Sequence, residues 1–182
     1  MASGQAYSGL QIHKALNSTG NASCWLDANA GTITGAVWND YAEYRKSNIT
    51  EPGRCIKELG DGSLTLTDKR LERGCEIVSD TFGFAIGKNE ECQTPTACAG
   101  RVLAYFYEDI EIAKSHIGWP VCSGPEGTVS LMAEEEELHY PSRIIGTISE
   151  VPSYEIWHAG GQGNEETSTP IKVNGRIWIR IR

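Results

Sequence analysis

The sequence predicts a mainly β protein in two parts: a short, β-rich, stalk-like segment at residues 1–39 and a compact β-rich domain at 40–182 with one or two short helices. Short runs of alternating apolar and polar residues recur along the chain, separated by Gly, Asn and Asp turns, which is the pattern of half-buried strands. Residues 132–138 form the best local run of helix formers. The composition changes near residue 39, which indicates a boundary there.

Composition excludes several classes of protein. The chain has 182 residues, 40% of them hydrophobic and 22% charged, so a packed core is expected. The net charge is −8 with no basic stripe, which argues against a nucleic-acid partner because binding phosphates needs clustered Lys and Arg. The chain has no run of 18 apolar residues, so no membrane helix is predicted. The first residues lack the features of a signal peptide.

The segment 1–39 is rich in Gly, Ser, Asn, Thr and Ala, with strand-like pieces at 10–13, 25–26 and 32–38. About 35 residues of this kind are too few to bury a core of their own. We therefore expect the segment to pack on the following domain or on copies of itself.

The segment 40–182 contains the stronger β patterns and two hairpin signals. Asp61-Gly62 and Asn174-Gly175 are dipeptides that favour tight hairpin turns. Residues 40–46 fit either one helical turn or an extended edge strand. Strands are expected at 54–59, 64–67, 76–79, 82–86, 101–107 and 143–149, and an amphipathic strand follows the Asn174-Gly175 turn at 177–182.

Neither a metal site nor a nucleotide loop is predicted. The six cysteines form no C-x-x-C pair, and the four histidines lack ligand spacing. We expect reduced, mostly buried thiols. No Gly-Lys-Ser/Thr sequence follows the glycine-rich turns, so a standard phosphate loop is absent.

Four segments, in this order, carry a family resemblance: Asp40-Tyr41-Ala42-Glu43-Tyr44, then 100–104, 145–152 and 173–178. Together they resemble the autoproteolytic chaperone domain that ends bacteriophage neck-appendage and tail-fibre proteins. Members of that family are glutamic peptidases that act only on their own chain. The resemblance covers 37–182.

The resemblance implies a cut at the Asn39–Asp40 bond that releases 40–182, with Glu43 as catalytic carboxylate and Asp40 also required. It further implies a homotrimer that chaperones its own N-terminal fibre segment. It also implies that a nucleotide takes part in the release of the cut domain. The chain would be made in the bacterial host cytoplasm, where the released domain remains, while the fibre joins the virion.

The residues support this chemistry independently. If 40–46 turns helically, Asp40 and Glu43 share a face, and two close carboxylates split their pKa values into an acid and a base. The side chain of Asn39 offers a second route, because its amide can attack its own carbonyl and form a succinimide. The alternative function is a non-cleaving trimerisation or receptor-binding tip of a phage fibre. A carbohydrate-active enzyme is a third reading, without an identifiable site.

Overall fold

The structure, a computed structural model, describes residues 39–158 and 170–181, together with the backbone of three short strands before them. The chain divides into two compact units, Met1–Val37 and Trp38–Arg182. In the first unit, strands β1 (Leu10–Ile12), β2 (Cys24–Asp27) and β3 (Thr32–Thr34) form an antiparallel sheet in that order. Each of the three strand-like pieces predicted there overlaps one of these strands, while residues 13 and 35–38 of those pieces lie outside the described residues.

The second unit is built on one curled ten-stranded sheet with a separate two-stranded ladder. Its strands are β4 (Asp40–Arg45), β5 (Cys55–Glu58), β6 (Leu64–Leu66), β7 (Cys75–Val78), β8 (Phe82–Ile86), β9 (Thr94–Ala104), β10 (Pro120–Ser123), β11 (Val129–Leu131), β12 (Gly146–Glu150), β13 (Ile156–His158), β14 (Pro170–Lys172) and β15 (Ile177–Ile181). The main path runs β11-β10-β12-β15-β9-β7-β5-β6, while β13 pairs with β14.

The long strand β9 organises the sheet around the start of β4. Asp40 and Ile181 are the two ladder partners of Gly100, one on each side. β4 runs antiparallel to β9 and parallel to β8. The first residues of the second unit are therefore tied to its last strand through β9.

The prediction of a mainly β fold with one or two short helices is confirmed. Helix α1 (Ile110–Ser115) and helix α2 (Glu134–His139) have six residues each. α2 was predicted, whereas α1 was missed. In α1, the backbone amide of Glu111 donates to the side chain of Asp109 at 2.8 Å. Asp109 is therefore the N-cap of α1, a helix-start signal that is visible in the sequence. No helix among the described residues is long and apolar enough to cross a membrane.

The core lies where the strands around β9 pack their inner faces. Val102, Ile148 and Ile179 belong to the main buried cluster. A second cluster joins Trp157 to Trp178, whose rings meet edge to face at 5.4 Å between centroids. Asn174-Gly175 forms a tight turn before β15 with positive φ at both residues, 52° and 72°. The prediction that this turn closes a hairpin is wrong, because β14 pairs with β13 whereas β15 pairs with β12 and β9.

Candidate functional site

The Asn39–Asp40 peptide bond lies at the entry to β4. Since Asp40–Arg45 is a strand, the helical-turn alternative for this segment is wrong. The ladders on both sides of β4 are irregular: the register against β8 shifts between Asp40 and Tyr41, and that against β9 shifts between Tyr41 and Ala42. Such bulges are frequent next to active sites because they re-aim side chains.

The carboxyl group of Asp40 is buried and half satisfied. The residue is 1% exposed, and its Oδ1 accepts a hydrogen bond from Thr81 Oγ1 at 2.8 Å. Its Oδ2 is buried without a hydrogen-bond partner among the described residues. Burial raises the pKa of Asp40 from 3.8 to about 6, with the hydroxyls of Ser79 and Thr81 acting in the opposite direction. A carboxyl with this pKa exchanges a proton readily near neutral pH.

The carbonyl group of Asn39 is held by a backbone donor. Arg101 N donates to Asn39 O at 2.6 Å, so the carbonyl is polarised by an N–H group that cannot turn away. The Arg101 guanidinium lies 5.0 Å from the centroid of the Trp178 ring and pairs with Glu150 at 3.2 Å. A rigid N–H aimed at a carbonyl oxygen is the arrangement that stabilises charge developing there during acyl transfer.

Gly100 allows the Asn39–Asp40 peptide to come this close to β9. Its φ is +103°, and a Cβ built on it would overlap the carbonyl oxygen of Asn39 and lie 2.8 Å from Asp40 Cα. Any side chain here would push the peptide away from β9. The glycine therefore fixes the position of the bond.

The loop that supports Asp40 is anchored by Arg176, which lies in the turn before β15. Arg176 is 3% exposed, and its guanidinium forms two hydrogen bonds to the carboxylate of Asp80, at 2.9 and 3.0 Å. Asp80 lies between Ser79 and Thr81, the two hydroxyl residues that act on Asp40. The bidentate pair holds this loop in one geometry.

Glu43 lies elsewhere. Successive strand residues point to opposite faces, and β4 buries Asp40 and Ala42 while it exposes Glu43. The shared face that a helical turn would give Asp40 and Glu43 is therefore not formed, and their Cα atoms are about 10 Å apart at strand spacing. Glu43 lines a surface cavity of about 370 Å³ with Arg45, Cys98 and Arg143 among its walls.

Of the thiols that the structure describes, those of Cys55 and Cys122 are buried, whereas those of Cys75, Cys92 and Cys98 are partly or fully exposed. The five cysteines whose side chains the structure describes, Cys55, Cys75, Cys92, Cys98 and Cys122, are free; the side chain of Cys24 lies outside the described residues. No group of three or more His, Cys, Asp or Glu that would hold a metal ion occurs among the described residues.

Sequence reasoning found Asn39 and Asp40 but missed three residues that surround them. Thr81 carried no signal, since one threonine in a loop is unremarkable. Gly100 and Arg101 belong to the 100–104 motif, yet only the pairing of β9 with β4 shows that they contact the bond.

Comparisons of the chain with family models, with curated proteins and with solved structures return no match. The resemblance to the phage chaperone domain therefore rests on the four sequence segments alone and stays a prediction.

Proposed function

We propose that this chain is the C-terminal intramolecular chaperone of a phage tail-fibre or appendage protein, which trimerises and then cuts itself once at Asn39–Asp40. The observation that carries the proposal is the setting of that bond. Its carbonyl accepts the 2.6 Å hydrogen bond from Arg101 N, and the next residue carries a buried carboxyl with a pKa of about 6. An activated carbonyl beside a proton donor is what amide cleavage needs.

A physical reason links cleavage to chaperoning. Three fibre chains must come into register before their long-range contacts repay the entropy of ordering them. A domain that trimerises on its own raises the local concentration of the attached segments. After the fibre segments have assembled, cutting the bond that joins them to the chaperone domain makes the assembly irreversible. The chain order fits this sequence of events: a small β unit, then the bond, then the large β unit.

The mass of the purified protein tests the cleavage. We expect the wild-type chain to become two fragments, 1–39 and 40–182, during hours of incubation, with Asp40 as the new N-terminus. Asn39→Ala is the matched variant for comparison in the same mass measurement. It changes only the side chain before the bond and leaves the backbone hydrogen bond from Arg101 in place. A wild-type chain that stays whole in the folded trimer would contradict self-cleavage and favour the passive fibre tip.

Sedimentation tests the assembly. We expect a homotrimer at micromolar concentration, both in freshly purified wild-type protein before the cut and in the same protein after it. A monomer in both samples would contradict the chaperone proposal. The host cytoplasm as the place of synthesis and the virion as the destination of the fibre segment are part of the same proposal.

The resemblance assigns catalysis to Glu43, and the strand geometry adds a condition to that assignment. Because Glu43 and Asp40 lie on opposite faces of β4, Glu43 reaches an Asn39–Asp40 bond only in another copy of the chain. Mixed assemblies of Asn39→Ala chains, which keep Glu43, with Glu43→Gln chains, which keep the bond, measure such a contribution.

A further inference from the structure

The amide group of Asn39 has an unusual environment. Its Nδ2 is buried and has no hydrogen-bond partner among the described residues. Buried side-chain donors are nearly always paired, because an unpaired one loses its hydrogen bond to water without gaining another. An unpaired buried donor in a native fold therefore calls for a specific explanation, and a catalytic role is one.

A second unpaired atom lies on the other side of the same peptide bond. Asp40 Oδ2 is also buried without a partner among the described residues. The two atoms flank the bond whose carbonyl oxygen already accepts from Arg101 N. One residue offers a nitrogen with no competing hydrogen bond, and the next offers a carboxyl oxygen free to pass a proton.

We propose that the Asn39 side chain is the nucleophile that cuts the Asn39–Asp40 bond, by closing a succinimide ring on its own carbonyl carbon. This inference rests on the proposed self-cleavage and specifies its chemistry. The bond from Nδ2 to the Asn39 carbonyl carbon forms, and the bond from that carbon to Asp40 N breaks. One proton leaves Nδ2 and one arrives on Asp40 N, so the step consumes neither water nor an oxidant.

The surrounding groups take defined roles in this step. Arg101 N stabilises the negative charge that develops on the Asn39 oxygen as the ring closes. Asp40, in its acid form, protonates its own backbone nitrogen as that nitrogen leaves, and regains a proton from Nδ2. Gly100 keeps the carbonyl against β9 so that the side chain attacks a fixed target. Glu43, on the opposite face, has no part in it.

The mass of the N-terminal fragment distinguishes ring closure from hydrolysis. We expect fragment 1–39, quenched in acid at early times, to be lighter than the hydrolysis product by one water molecule, and to form a hydroxamate with hydroxylamine. Asn39→Ala lacks the nucleophile and is expected to stay whole while it remains folded and trimeric. Asp40→Asn keeps the nucleophile and is expected to cut about a hundredfold more slowly.

The outcomes separate the two proposals. An early fragment that ends in an ordinary carboxyl group, together with normal cutting of Asn39→Ala, would overturn the succinimide route and leave self-cleavage standing. A wild-type chain that never cuts would overturn both. Since the fragment mass is read on the wild-type protein, the test does not depend on whether a variant folds.

Discussion

Ionisation of Asp40 inside the sheet makes the stability of the second unit depend on pH in a direction opposite to that of most carboxylates. The folded state holds the Asp40 proton up to about pH 6, whereas the unfolded chain releases it near pH 4. The contribution of this group is therefore most favourable below pH 4, declines as pH rises from 4 to 6 and is level above that. A shift of about two pKa units corresponds to about 3 kcal/mol.

Asp40→Asn removes this titration, and the Asn39→Ala background keeps the chain whole. We expect the free energy of unfolding of Asn39→Ala, relative to Asn39→Ala/Asp40→Asn, to fall by about 3 kcal/mol between pH 3.5 and 7. Urea titrations at one fixed protein concentration measure it, since assembly also contributes to stability. All other groups titrate in both proteins and cancel. A difference that stays constant over this range would refute the assigned burial of the ionised carboxyl.

Three further predictions concern the cut itself. The rate constant for cutting is expected to be level below about pH 6 and to fall about tenfold per pH unit above it, because only the acid form of Asp40 donates; a rate that rises with pH would assign Asp40 to the base role. Gly100→Ala is expected to destabilise the fold by more than the roughly 1–3 kcal/mol of backbone strain and to stop cutting. Gly118→Ala, with a similar φ of +89° and open space around it, is expected to show the strain alone in the same unfolding assay. Glu43→Gln is expected to cut within a few-fold of the wild-type rate; a loss of cutting that Asn39→Ala chains restore in mixed assemblies would return Glu43 to catalysis, in another copy.

The sequence predicted local features well, because local chemistry determines them. Asn174-Gly175 tolerates the positive φ of a tight turn. The alternation in β15 matches its buried Ile177 and Ile179, although Trp178 on the other face is buried as well. The conformation of 40–46 could not be decided, since a run with Asp, Glu and two Tyr fits a helical turn as well as a strand. Pairing with β8 and β9 decides it.

The residues that surround the Asn39–Asp40 bond could not be predicted from the sequence, because they are distant from it along the chain. Asp40 and Thr81 are 41 positions apart, and nothing in either neighbourhood indicates that they meet. A motif gave the position of the Asn39–Asp40 bond, whereas the pairing of β4 with β8 and β9 brings the surrounding groups to it. Only Asn39 was identifiable from its own chemistry, since its amide and its carbonyl belong to one residue.

The pair between Arg176 and Asp80 has a consequence for the timing of biosynthesis. Polypeptides are made from the N-terminus, so the ribosome adds 176 long after it has added 80, 96 positions earlier. Until the arginine emerges, the loop with Ser79 and Thr81 lacks its anchor, and the carboxyl of Asp40 lacks its fixed surroundings. A nascent or prematurely terminated chain would therefore keep its first 39 residues attached. Under the proposed self-cleavage, the buried Arg176 would act as a checkpoint, because the loop beside Asp40 gains its anchor only after residue 176 has been made.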